Sequence, residues 1–177
     1  GDGGSGGAGG DGGAGGSGGD GGSGGGPINE APCTEDGGKV DPTTGHCYFV
    51  LRGQMNSRMT WTDARNRCAS LNGAHLATIT SEEEQAFVES FATTGPGGTG
   101  DLWIGLWREG AATATNKFAW ITDEPVNYVN WNTNEPNENG TACVRLRADN
   151  KRWSDQTCNP TQQNSRRYAL CEREPSP

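Results

Sequence analysis

The chain has 177 residues, 22 of them acidic and 14 basic, for a formal net charge of −8. That length suits one domain of ordinary size, and an acidic chain with no basic cluster argues against nucleic acid or an anionic membrane surface as a partner. No apolar run approaches the ~20 residues of a membrane helix, so no membrane insertion is expected.

Residues 1–26 do not read as a domain. They repeat Gly-Gly-X with Asp, Ser or Ala at X, and Asp2, Asp11 and Asp20 recur every nine residues. With no proline inside, the repeat is not collagen. It also lacks the apolar position of the calcium-binding nonapeptide repeat. Two readings stay open. One is a flexible tether with aspartate for solubility. The other is an ordered segment, because a period of three matches a polyproline-II-like helix with the X side chains on one edge and bare glycine on the others. A strand of that kind, roughly 80 Å long at ~3.1 Å per residue, satisfies its backbone groups only against neighbours, such as other copies of the chain. Pro27 ends the repeat. Residues 27–174 form the expected domain of about 150 residues, enough to bury a core, and 175–177 are its C-terminal end.

The six cysteines are Cys33, Cys47, Cys68, Cys143, Cys158 and Cys171. They are even in number and dispersed, with no CxxC and no Cys/His pair at zinc spacing, so they read as disulfides formed in an oxidising compartment. Spacing alone leaves their pairing open. The chain opens on Gly1 rather than Met and carries no signal peptide. It is expected to be a mature secreted chain or a fragment, the former being the simpler reading.

Between Cys33 and Cys47 lie the turn signals Asp36-Gly37-Gly38 and Asp41-Pro42-Thr43-Thr44-Gly45, which predict a short hairpin. Tyr48–Leu51 follows as a strand. Thr60-Trp61-Thr62-Asp63 has the form of a capping box with Asp for Glu. Trp61, Ala64, Cys68 and Leu71 then recur at helical spacing until Asn72-Gly73 stops the helix. His75–Ile79 reads as extended. Ser81-Glu82-Glu83-Glu84 is a second capping box, opening a helix whose apolar face is Phe87, Val88 and Phe91. Its three glutamates read as a solvated helix start. Leu102–Trp107 is a buried strand by composition, Phe118–Trp120 a strand fragment, and Cys143–Leu146 and Tyr168–Cys171 short strands. Trp103, Trp107, Trp120, Trp131 and Trp153 read as core residues or loop anchors.

The stretch from Trp131 to Cys143 (Trp-Asn-Thr-Asn-Glu-Pro-Asn-Glu-Asn-Gly-Thr-Ala-Cys) has no aliphatic side chain larger than alanine. It collects carboxylate and amide oxygens around Pro136, the donor set that a hard cation such as calcium takes, and loops this long are usually functional. The first expectation is therefore a loop that holds calcium, with the ion holding a sugar. Arg152-Trp153-Ser154-Asp155 is a second polar step beside a tryptophan. An enzyme is not expected. His46 and His75 are the only histidines, and neither lies near a nucleophile motif.

Two capped helices, Trp103-Ile104-Gly105-Leu106, Glu135-Pro136-Asn137, Trp153-Ser154-Asp155 and the cysteines in this order resemble the C-type lectin-like domain from about Cys33 to Glu172. The resemblance implies an α+β fold, two helices flanking small antiparallel sheets with a long loop region at one end. It implies the pairs Cys33–Cys47 (the long form of the family), Cys68–Cys171 and Cys143–Cys158. It implies a mannose-type Ca2+ site. In that site Glu135, Asn137 and Asp155 are metal ligands with Glu138 as a further carboxylate. Glu135, Asn137, Ser154 and Asp155 face the sugar, and the Glu135–Pro136 bond is cis. Glu135 then accepts and the Asn137 amide donates, an order that suits glycans with equatorial 3- and 4-hydroxyls.

The chain departs from the family pattern at Ser154, where the family has an asparagine, and at Thr141, where it has an acid. A second calcium position near Arg108–Ala112 lacks the expected acids except Glu109. The function expected is an extracellular, adhesive, calcium-dependent lectin, secreted or on the cell surface. Residues 1–26 would display it in many copies, as a homo-oligomer or fibre, since weak single sites gain avidity from copy number. The alternative is a structural or protein-binding domain of the same fold, without sugar binding.

Overall fold

The computed structural model describes residues 33–34, 36–52, 58–92, 100–113, 117–162, 164 and 166–175. The Gly-Gly-X repeat, with both readings of it, lies outside them. In chain order the elements are β1 (Lys39–Val40), β2 (Cys47–Leu51), α1 (Trp61–Ala69), β3 (His75–Leu76), α2 (Glu82–Phe91), β4 (Leu102–Arg108), β5 (Ala119–Trp120), β6 (Ala142–Leu146), β7 (Trp153–Thr157) and β8 (Tyr168–Arg173).

Both helices start where their caps predict. The Thr60 side chain accepts from Asp63 N at 3.1 Å to open α1, a bond that satisfies one of the free amides of the first turn. Asn72 (φ 45°) and Gly73 (φ 81°) stop the chain after it. Trp61, Ala64 and Cys68 face the core. In α2 the Ser81 hydroxyl accepts from Glu84 N at 3.1 Å, and Glu84 returns over the helix start to accept from Thr80 N at 2.7 Å and Thr80 Oγ1 at 2.9 Å. The same carboxylate accepts from Tyr48 Oη at 3.2 Å and is buried. The expectation of three solvated glutamates is thus corrected for Glu84. The reciprocal cap bends it inward against β2, leaving Glu82 and Glu83 exposed.

The strands join one mixed sheet in the order β1-β2-β8-β4-β6-β7, with β3 on β8 and β5 on β4. The small antiparallel sheets expected are linked by a parallel pairing of β4 with β8. Leu102 to Leu106 of central β4 are fully buried, as a strand covered on both faces requires. Gly105 explains the form of Trp103-Ile104-Gly105-Leu106, since a Cβ there would stand 2.8 Å from Leu76 O and 3.0 Å from the Ile121 side chain. Trp103, Trp120 and Trp153 are buried, and Trp107 and Trp131 pack against the core.

The disulfides are Cys33–Cys47, Cys68–Cys171 and Cys143–Cys158. The first closes the N-terminal hairpin, the second ties α1 to β8, and the third spans β6 to the end of β7. Trp153-Ser154-Asp155, a polar step in the sequence, is the start of a regular strand. It pairs with β6 through Leu146↔Trp153, Arg145↔Ser154 and Val144↔Asp155. Among the described residues no helix is long and apolar enough to cross a membrane.

Candidate functional site

Trp153 seats the long loop on the sheet. Its ring makes edge contacts with Trp120, Tyr128 and Trp131, and its indole N–H donates to Gln85 of α2 at 2.9 Å. Its backbone N–H donates to Asn130 O at 2.7 Å, and its carbonyl accepts from Asn132 N at 2.8 Å. The loop therefore runs alongside the start of β7. A turn follows, closed by Glu135 N donating to Asn132 O at 3.1 Å, with Asn134 left-handed at φ 63°, a conformation in which asparagine is over-represented among non-glycine residues. The Glu135–Pro136 peptide bond is cis.

The turn sets residues 135–138 over Asp155, two positions after Trp153. Asp155 is 5 % exposed. Its Oδ1 accepts from Asn137 N at 2.8 Å and its Oδ2 from Glu138 N at 3.2 Å. Glu135 Oε2 is buried with no hydrogen-bond partner. Burial pushes the Glu135 carboxyl above the usual carboxylate range, the neighbouring Asp155 adds to the shift, and Arg145 opposes it. Arg145 does not neutralise the pair, because it donates through Nε to Ser154 Oγ at 2.8 Å and pairs through Nη1 with Asp101 at 3.0 Å. An orphaned carboxylate oxygen beside a second carboxylate, in an all-oxygen donor set, fits a hard cation such as calcium.

Asn137 is exposed and Glu138 half-buried, and a Glu138 carboxylate oxygen accepts from Asn139 N at 3.1 Å. The structure thus brings Glu135 beside Asp155 and sets the backbone of Asn137 and Glu138 on the Asp155 carboxylate, while among the described residues the acids of this loop do not form a group of three with ligand atoms within 4.8 Å of one another. Ser154, expected to face the sugar, does not join them. It has no exposed surface and its hydroxyl is taken by Arg145, because the pleat turns successive side chains to opposite faces and Ser154 lies across from Arg145. Thr141 Oγ1 accepts from Gly110 N at 2.9 Å.

Sequence reasoning missed Arg108. It is 4 % exposed, and its guanidinium donates to the Glu138, Gly140 and Gly110 carbonyls. The available signal was a charged residue closing an otherwise apolar strand.

A second cluster lies away from the loop, where the ligand atoms of His46, Glu84 and Glu172 fall within 4.8 Å of one another. The His46 Nδ1 bonds Glu172 at 2.5 Å and its Nε2 pairs with Glu174 at 2.9 Å. The hydrogen bond to Glu172, opposed by burial and assisted by the nearby carboxylate charges, lifts the imidazole to about 9. In Glu172 itself burial, the larger influence, favours the neutral acid, while His46 and the Thr78 N–H favour the carboxylate. We take His46 as the protonated partner, since three carboxylates surround it. His75 is a structural histidine, with Nδ1 2.9 Å from Leu76 O and Nε2 3.4 Å from Glu174.

Two capped helices on one sheet, disulfides at both ends of it and a long polar loop seated over a strand carboxylate define the C-type lectin-like fold. The family of the lectin C-type domain matches residues 57–173, and the chain belongs to that family. Among its relatives is a C-type lectin mannose-binding isoform of Oxyuranus scutellatus, 32% identical over 122 residues that cover 66% of this chain and 73% of that one. Another is the human C-type mannose receptor 2, 32% identical over 125 residues, 63% of this chain. The chain spans 8% of that receptor, and 30% of the mouse low affinity immunoglobulin epsilon Fc receptor. Among solved structures, human lithostathine superposes with a TM-score of 0.62 at 23% identity, covering 78% of this chain and 97% of the other. The cow carbohydrate-recognition domain of CD23 gives 0.58 at 27% identity, covering 75% and 90%.

Proposed function

We propose that this domain is an extracellular calcium-dependent carbohydrate-binding module. Glu135, Asn137 and Asp155 hold the ion, with Glu138 at its edge. The observation that carries this reading is the buried, partnerless Glu135 Oε2 beside Asp155 on a surface loop. When bound, calcium supplies coordination positions for two vicinal sugar hydroxyls. Glu135 accepts a hydrogen bond from one hydroxyl and the Asn137 amide donates to the other, an order that suits equatorial 3- and 4-hydroxyls as in mannose. The mannose-binding name of the Oxyuranus scutellatus relative supports this class of ligand. So does the CD23 domain, which was solved in the presence of a GlcNAc2Man3 oligosaccharide. Residues 1–26 display the module in several copies, secreted or at a cell surface, which raises avidity without new contacts.

The test is a glycan array on the full chain, in calcium and in EDTA, beside a chain starting at Pro27. Mannose-type binding that needs calcium and weakens in the shorter chain is expected. Binding unchanged by EDTA overturns the calcium mechanism, and the same oligomeric state and avidity for both chains overturns the display by residues 1–26. No glycan binding at all, with an unfolding temperature that rises in calcium, returns the structural or protein-binding reading.

A further inference from the structure

The loop that carries Glu135 to Glu138 is held from behind by a cation that belongs to the chain. Arg108 ends β4 and is buried. Its Nη2 donates to Glu138 O at 2.7 Å and Gly140 O at 3.2 Å, and its Nε donates to Gly110 O at 3.1 Å. The guanidinium carbon lies 4.7 Å from the centre of the Phe118 ring, and that ring packs on Trp131 at 5.1 Å. Among the described residues no carboxylate forms an ion pair with Arg108. A buried guanidinium in that position is costly unless dipoles surround it, and here the carbonyls of two chain segments do so. The Thr141 hydroxyl, accepting from Gly110 N, fastens the same two segments together.

Convergence of carbonyl oxygens from separate segments on one charge is how a protein holds a hard metal ion. We infer that Arg108 is a positioning residue that serves as a built-in cation for the ligand loop, so that the site needs one calcium ion and its loop is ordered before calcium arrives. This rests on the reading of Glu135, Asn137 and Asp155 as the calcium ligands. The linkage is short. Arg108 holds the Glu138 carbonyl, while the N–H of the same residue donates to Asp155 Oδ2 and the preceding N–H, of Asn137, donates to Oδ1. One peptide segment is therefore fixed by the guanidinium on one side and aims the Asp155 carboxylate on the other. The guanidinium is covalently part of the chain, so EDTA does not remove this support. The inference also accounts for the scarcity of acids in residues 108–112, where Glu109 is the only one. A calcium ion there would need carboxylates as well as carbonyls, whereas a tethered guanidinium is held by the carbonyls alone.

The test is amide hydrogen exchange on the full chain in EDTA, with calcium titration by calorimetry alongside. In the unsubstituted chain the Asn137 and Glu138 amides should be protected without calcium, and calcium should bind one per chain. Arg108→Met should speed exchange of those two amides by about tenfold or more and weaken calcium by a similar factor, while α1 amides keep their rates. Arg108→Lys, which keeps the charge but loses the fork, should fall between. Two calcium ions per chain, unprotected loop amides in EDTA, or a Met variant with the parent's rates and affinity would each overturn the inference. Slowed folding that speeds α1 exchange equally would do the same, by showing a general structural role. If the unsubstituted chain binds no calcium, the reading of the ligands fails. The exchange comparison in EDTA still decides whether Arg108 orders the loop.

Discussion

The backbone N–H of Asn137 donates to Asp155 Oδ1 at 2.8 Å, joining the long loop to β7 across 18 residues of chain. The other oxygen of that carboxylate takes the next N–H, of Glu138, at 3.2 Å. Asp155 is thus the anchor of the loop as well as one of its proposed metal ligands. Asp155→Asn removes the charge and turns one acceptor into an NH2 group facing a backbone N–H. Hydrogen bonds to a charged group contribute about 1.5–3 kcal/mol each, so a loss of roughly 2–3 kcal/mol is expected in EDTA, before any calcium effect. Denaturant unfolding in EDTA measures it. A loss well below that range would mean that these two bonds are not what seats the loop.

Glu135 should behave in the opposite way without calcium. Its folded carboxyl is raised above the ordinary value, first by burial and then by Asp155, so the native state binds the proton more tightly than the unfolded chain does and the carboxylate is a cost at neutral pH. Glu135→Gln is therefore expected to raise the unfolding temperature in EDTA and to lower it in excess calcium, where the parent gains from ligand binding. A shift of the same sign in both buffers would show that Glu135 is not a metal ligand.

The pairing Glu135→Gln with Asn137→Asp exchanges acceptor and donor on the two sides of Pro136 while keeping the oxygen count. Mannose-type affinity should fall by about tenfold or more, the equivalent of one lost charge-assisted hydrogen bond. Calcium should still bind. Calorimetric titration of the ion and of methyl mannoside separates the two. Unchanged sugar affinity would mean that the hydroxyls are recognised elsewhere.

The parts of this fold that follow local rules were legible in the chain. Thr60 and Ser81 cap the helices where they were expected, because a cap is satisfied by amides two or three residues away. Leu102–Trp107 announced a covered strand by composition. The disulfide pairing was legible only through resemblance. What was not legible depends on partners distant in sequence. Glu84 looked like one of three surface acids until its cap turned it under Tyr48 and His46. The strand character of Trp153–Thr157 was hidden by its polar side chains, and β6 supplies its register. Ser154 read as a ligand by its neighbours in the chain, but its face of the strand is decided by Arg145. Arg108 had no role in the sequence beyond bordering a calcium position short of acids, because two of the carbonyls that hold it come from 30 and 32 residues later.

Stability should decline on the alkaline side through His46. Its pKa is raised from 6.5 to about 9, mainly by the hydrogen bond to Glu172. A raised folded pKa means that the native state binds the proton more tightly than the unfolded chain. The contribution is therefore fully present below about pH 6.5 and is lost as pH climbs towards 9. Because the ring is partly exposed and its charge partly screened by solvent, the stability lost is smaller than the full shift would imply. The imidazolium ties β2 to β8, where Cys47 and Arg173 pair, and its Nε2 also holds Glu174 at 2.9 Å. Unfolding free energies of the full chain in EDTA, measured from pH 6 to 9.5, should fall over that interval. His46→Gln should be less stable at pH 6 and nearly flat over the same range, converging with the parent near pH 9.5. Parallel curves for the two proteins would place the alkaline loss in other groups and leave His46 without a role in it.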